Sequence, residues 1–211
     1  MGIDLGIRKA AVFSDGTVIE NPKAFERNVR KLRRLNKELS RREKWNRQTG
    51  EVASHRWLKT KQKLERQHAK IVNYRVDHAH KLSRRVVDDF KVIGLEDLNV
   101  RGMIHGKNMG RSVNDANFGR IRRFIEYKSA WYGSQVGFVD RFYPSSKTCS
   151  NCGEVKAKLS RNATVFSCEA CSHEMDRDLN AALNIERKVA QSYSETLNGH
   201  GDDGSGSDDS E

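Results

Sequence analysis

Residues 91–99 read KVIGLEDLN. Val92, Ile93, Gly94 and Leu95 form a short apolar run directly after a long helical pattern, and such a run reads as a buried strand. The strand ends on two acids, Glu96 and Asp97. Successive side chains leave a strand on opposite faces, so only one of the two can share a site with an acid on a neighbouring strand.

Working outward, residues 3–7 and 10–13 read as strands, followed by a turn at Ser14, Asp15 and Gly16 and a third strand over 17–20. The Asp-Gly pair tolerates the positive φ of a hairpin, so the chain opens with an antiparallel meander. Two helices come next. Phe25, Val29, Leu32, Leu35 and Leu39 make one apolar stripe, with Thr49 and Gly50 as the stop. A second helix spans about 54–88, with Leu64, Ile71, Val72, Val76, Ala79, Leu82 and Val86 facing inward. Ten Lys or Arg residues lie between Arg27 and Arg47, so the pair is a basic helical hairpin. Such a run is either a solvated face or a nucleic-acid contact. Beyond the KVIGL strand, residues 99–119 are polar and glycine-rich and read as a long loop. Asn114 or Asp115 is placed to cap a helix whose buried side is Phe118, Ile121, Ile125 and Tyr132. Residues 135–142 read as another strand, and a last helix runs over about 178–189.

Lys and Arg total 39 against 28 acids in 211 residues. The segment 191–211 holds six acids and no Lys or Arg, which leaves a net charge of +17 on residues 1–190. Such a field attracts polyanions and argues against small neutral substrates. The acidic segment is expected to be disordered. The sequence has no run of 18 apolar residues and no signal-peptide pattern, so no membrane partner and a cytoplasmic, nucleoid-associated location are expected.

All four cysteines fall in one pattern, C-x2-C-x15-C-x2-C, at Cys149, Cys152, Cys168 and Cys171. Two thiolate pairs on tight turns suit tetrahedral Zn²⁺, and a closed sulfur shell makes the site structural. Two disulfides, or a redox CxxC, are the competing readings, and a reducing compartment disfavours the first. His173 lies just beyond the last cysteine as a bystander.

Three acids stand where hard cations bind. Asp4 lies in GIDLGI between apolar residues, where its charge needs compensation. Glu96 ends the KVIGL strand. Asp176 and Asp178 open the last helix in MDRDLNAALNI, where either can also serve as a helix cap. Three such acids suit a two-metal phosphodiester site binding Mg²⁺ or Mn²⁺.

The segments GIDLGI, GLEDLN, SSKTCSNCG and DRDLNAALNI, in this order, resemble the C-terminal half of TnpB, the transposon-encoded OrfB family related to type V CRISPR effectors. The resemblance runs from residue 2 to about residue 190. It implies an α/β, ribonuclease H-like (RuvC) core over 1–145 with a helical hairpin insertion at about 22–90. It also implies an inserted zinc ribbon at 146–173 and a last core helix at 174–190, after which the composition marks the acidic tail at 191–211. By motif position Asp4, Glu96 and Asp176 correspond to the catalytic acids, with Asp97 and Asp178 set aside. Members cut DNA with Mg²⁺ under a guide RNA. The family's N-terminal half, which grips guide and target, has no counterpart here, so the expectation is a truncated or internally started product, or a fragment of a longer gene. The expected function is therefore the metal-dependent DNA endonuclease half of an RNA-guided nuclease, with guide RNA as a partner once an N-terminal half is supplied. A non-catalytic nucleic-acid-binding accessory protein or a transposon remnant is the alternative. No tyrosine-and-histidine constellation for covalent strand transfer is present.

Overall fold

A computed structural model describes residues 1–42, 54–105, 109–160 and 162–198. The opening meander consists of β1 (Ile3–Asp4), β2 (Lys9–Phe13) and β3 (Val18–Glu20), all antiparallel. Helices α1 (Ala24–Ser40) and α2 (His55–Asp89) lead to β4 (Val92–Glu96). Then come α3 (Val100–His105), α4 (Gly110–Ala116), α5 (Phe118–Tyr132) and β5 (Gln135–Val139), which runs parallel to β4. A small hairpin of β6 (Val165–Ser167) and β7 (Glu174–Asp176) precedes α6 (Arg177–Asn198).

A parallel bridge between Gly2 and Gly94 joins the meander to β4, and the Gly94 amide donates to the Met1 carbonyl at 2.8 Å. The spatial order is therefore β3-β2-β1-β4-β5. One face carries α2 and α5. Ile3, Phe13, Ile93 and Leu95 pack there against Leu82, Val86, Ile121 and Ile125. The other face carries α6, where Val139, Ile185 and Val189 form a separate cluster.

Alternation along the strands decides what reaches α6. Ile3 and Leu95 point to the α2/α5 face, so Gly2 and Asp4, and Gly94 and Glu96, point to the α6 face. A Cβ at Gly2 would lie 2.1 Å from the Ala182 carbonyl oxygen and 2.5 Å from the Glu186 amide. One at Gly137 would lie 2.6 Å from Val189 Cγ1. Glycines on three adjacent strands thus let the helix backbone lie almost on the sheet, next to the acids.

The elements differ from the sequence reading in several places. The first strand is two residues long, and β5 stops at Val139, with residues 140–142 forming a turn. Most of the described part of 99–119 is helical rather than loop. Local polarity hid this, because Val113 and Ala116 turn inward onto Phe118. Asp115 does not cap α5. It lies inside α4, pairs with Arg75 at 2.7 Å and accepts the backbone amides of Phe25 and Glu26, so it caps α1 across the fold. Val72 is 45 % exposed, whereas Gln67 is buried and donates to Asn28. Helix α6 continues through Asn198, well into the segment expected to be disordered. The expected stop at Thr49 and Gly50, and residues 199–211, lie outside the described residues. No helix among the described residues is long and apolar enough to cross a membrane.

Substituting Gly2 by Ala should destabilise the protein by about 1–3 kcal/mol in urea unfolding, since backbone on α6 must move. Gly119→Ala, whose new methyl meets only Val100 at 3.8 Å, should be neutral or mildly stabilising.

Candidate functional site

Asp4 ends β1, Glu96 ends β4, and both face the N-terminus of α6. Asp176 ends β7 and caps that helix. Its Oδ1 accepts the amides of Asp178 at 3.0 Å and Leu179 at 3.1 Å, and its Oδ2 accepts the Lys9 ammonium at 2.7 Å. Lys9 also lies 3.8 Å from Asp178.

Electrostatics shows that these acids share one space. Burial pushes the Asp4 carboxyl up to about 8, and the charges of Glu96, Asp178 and Asp176 add to the rise, opposed by Arg177. Burial also raises Glu96, against a hydrogen bond that the Ser145 hydroxyl donates to its Oε1. Asp176 is held below the ordinary carboxylate range despite partial burial, through Lys9 and the helix amides. Asp178, set aside on motif position, weighs more on Asp4 than Asp176 does. Asp97 leaves on the other side of its strand. It is bound by Arg122 and Arg141, which hold it ionised.

Four carboxylates against Lys9 and Arg177 make a net anionic, oxygen-only donor set, which suits hard divalent cations. The acids do not close to the spacing of a single ion. Among the described residues, only the four cysteines bring three or more ligand atoms within 4.8 Å of one another.

The thiols of Cys149 and Cys171 are 3.7 Å apart, and those of Cys152 and Cys168 are 3.6 Å apart. A tetrahedron with metal–sulfur bonds of about 2.3 Å has edges of about 3.8 Å, so the four fit one ion. Gly153 (φ +83°) and Ser172 (φ +57°) each follow the second cysteine of a pair, and these positive φ values turn the two knuckles back. A hydrogen bond from Asn151, then the His173 backbone amide, pull the Cys171 thiol down to about 6. The His173 ring lies 3.3 Å from the Met175 sulfur.

Two further residues matter that the sequence reading quoted without assigning. Asn180 and Asn184 are 0 % and 1 % exposed. Asn180 accepts the Ser150 amide and donates to the Thr148 carbonyl, and Asn184 donates to the carbonyls of Ser145 and Thr148. They fasten the cysteine segment to α6. Their i, i+4 spacing on an otherwise apolar helix face was the available signal. Lys9 and Ser145 had no such signal.

Comparison with known proteins adds the lineage. The family model OrfB_IS605, described as "Probable transposase", matches residues 1–106, and the model "Cas12f1-like, TNB domain" matches residues 118–185. This chain belongs to the OrfB_IS605 (TnpB) family. A "Putative RNA-guided DNA endonuclease" of Streptomyces pristinaespiralis is 38% identical over 185 residues, covering 88% of this chain and 44% of that protein. One from Escherichia coli K12, InsQ, is 34% identical over 200 residues, covering 88% and 48%. The family member thus spans about half the length of these curated relatives. A CRISPR-Cas12f ternary complex shares the fold at 23% identity, with a TM-score of 0.62 over 87% of this chain and 37% of that one.

Raised acids give this TnpB-family chain a definite pH dependence. Asp4 gains protons on folding, so its contribution to stability is present below its ordinary value of 3.8 and is lost as the pH climbs to about 8. Without added Mg²⁺ or Mn²⁺, Asp4→Asn should therefore melt higher than the parent at pH 8–9, with the gap closing toward pH 5.

Proposed function

We propose that Asp4, Glu96 and Asp176 hold Mg²⁺ or Mn²⁺, and that this chain is the cleaving half of an RNA-guided DNA endonuclease on a ribonuclease H-like (RuvC) core. The observation that carries the reading is the convergence of acids from β1, β4 and the N-terminus of α6 on Asp4, whose carboxyl is raised first by burial and further by their charges. Burying mutually repelling carboxylates costs stability, and divalent cations remove that cost. Such cations supply Lewis-acid chemistry for phosphodiester hydrolysis.

This chain's own residues do the rest. Glu96 is oriented by Ser145, whose backbone is in turn held by Asn184. Lys9 neutralises Asp176 and Asp178 until a cation arrives. The four cysteines hold structural Zn²⁺, which fixes the segment that carries Ser145. DNA is the substrate, and guide RNA is the partner when an N-terminal half is joined on. The fold resemblance and the relatives' names support both assignments.

Zinc-loaded protein with Mg²⁺ or Mn²⁺ should nick single-stranded DNA. Asp4→Asn and Glu96→Gln should each slow this by at least about a hundredfold. Asp97→Asn should cut normally, and comparison of Asp176→Asn with Asp178→Asn assigns the third acid. Equal cutting by Asp4→Asn and the parent, together with unchanged Mn²⁺ binding in calorimetry, sinks the assignment.

The second reading, binding without turnover, is favoured by where the hairpin carries its charge. Residues 27–42 and 54–70 hold 14 cations against Glu38 and Glu65. Nearer the core, Lys81, Arg84 and Arg85 are each paired with an acid four residues away. An ordinary solvated helix face looks like the paired half, not the tip. Lys31, Arg34, Lys63, Arg66 and Lys70 line one groove between the two helices. Reversing Arg34 and Lys63 to Glu should weaken DNA or RNA binding and flatten its salt dependence, by about one unit of slope for each phosphate no longer neutralised.

A further inference from the structure

The turn after β5 carries a side chain that the proposed chemistry does not use. Phe142 is 87 % exposed, more than any other large hydrophobic among the described residues. Its backbone is fixed. The Phe142 amide donates to Asp140 Oδ1 at 2.8 Å, and the Tyr143 amide donates to the Asp140 carbonyl at 3.0 Å. Both flanks are tied to the strand end that bears the acids. Arg141 donates to the Asp97 carboxylate at 2.9 Å, and the Ser145 hydroxyl donates to Glu96. Tyr143, the next residue, is packed against Val139, Ile185 and Val189, so the chain had an apolar cluster at hand and left Phe142 outside it.

We infer that Phe142 is a base-stacking residue that seats an unpaired nucleotide of a single strand beside the acid cluster. The inference rests on the cleavage reading above, because proximity to Glu96 gives the ring its use. Two residues separate Phe142 from Ser145, so their Cα atoms are at most about 11 Å apart and a base on the ring lies within a few nucleotides of the acids. A rigidly presented aromatic face binds any base, whereas a duplex keeps its bases stacked on one another and offers none. Arg141 and Lys156 are engaged by Asp97 and Glu169, so attraction of the strand comes from the +17 charge of residues 1–190 rather than from cations at the ring. The substrate class follows: a single strand, or a duplex already opened.

Binding is measured by fluorescence anisotropy with labelled oligo-dT and with a duplex of equal length, using zinc-loaded protein without Mg²⁺ or Mn²⁺. Phe142→Ala should weaken single-strand binding about tenfold, the loss of one stacked base, and leave duplex binding unchanged. Phe142→Trp should bind as the parent does. Trp131→Ala serves as control, since that ring is 74 % exposed near the opposite ends of the strands. Unchanged single-strand affinity in Phe142→Ala overturns the inference and leaves the ring to a protein interface. Equal weakening of both ligands also overturns it. The readout needs no cleavage, so the two readings fail separately. A protein that never cuts yet shows the Phe142 effect loses only the nuclease assignment. One that cuts, with Phe142→Ala binding as the parent does, loses only this inference.

Discussion

The backbone-to-sheet contact of α6 is the constraint on which the rest depends. A helix normally packs on a sheet through side chains that keep their axes about 10 Å apart. Here Gly2 and Gly94, with Gly137 on the third strand, remove that layer, and Ala181 and Ala182 keep the helix side equally thin. The acids Asp4 and Glu96 occupy the next positions on the same face. Bringing α6 down on the glycines therefore brings its N-terminus, with Asp176 and Asp178, down on the acids. A bulkier residue in the glycine row would separate the carboxylates before it disturbed any of them directly.

The same helix couples the cysteine segment to the acid cluster. Asn180 and Asn184 hold the backbone of residues 145–150 through four buried hydrogen bonds. Buried amides that lose their partners cost about 1–3 kcal/mol each, so the segment has one low-energy position. Ser145, within it, orients Glu96. The sulfur cluster is thus one mechanical step from the acids. An ion held by the cysteines would stabilise the segment's fold, the asparagines fix where that fold docks, and the serine passes the position on.

Much of this was legible in the sequence, and the reasons differ by element. Period-two alternation in GIDLGI and KVIGLED already separates Glu96 from Asp97 and sets Asp4 facing the same way as Gly2. Cysteine spacing needs no tertiary information, because both knuckles are local turns. Long-range partners left weaker traces. Asp115 looked like a local cap, yet it reaches α1 and Arg75, and nothing in its neighbours announces a contact forty or ninety residues away. Residues 99–119 read as loop because their polarity is real, while their inward side packs on Leu5 and Ile7 from elsewhere in the chain. Lys9 is one cation among many in a basic sequence. Only the fold selects it, by carrying β2 past the end of β7.

A basic protein with a half-buried acid cluster faces a conflict, because the cations that draw in nucleic acid must not fill the proposed metal site. Distance resolves it here. The excess cations of α2 lie at residues 54–70, so nineteen residues, about 28 Å of helix, separate Lys70 from the end at Asp89. That is roughly three Debye lengths at physiological salt. Between them, Lys81, Arg84 and Arg85 are neutralised by Asp77, Asp88 and Asp89, which insulates the core from the tip. The hairpin can attract a polyanion without lowering the acids' affinity for cations, and the cluster can repel bare phosphate without weakening the hairpin's grip. Lys9 does breach the separation, and it lies on Asp176 and Asp178, the least buried side of the cluster, rather than on Asp4.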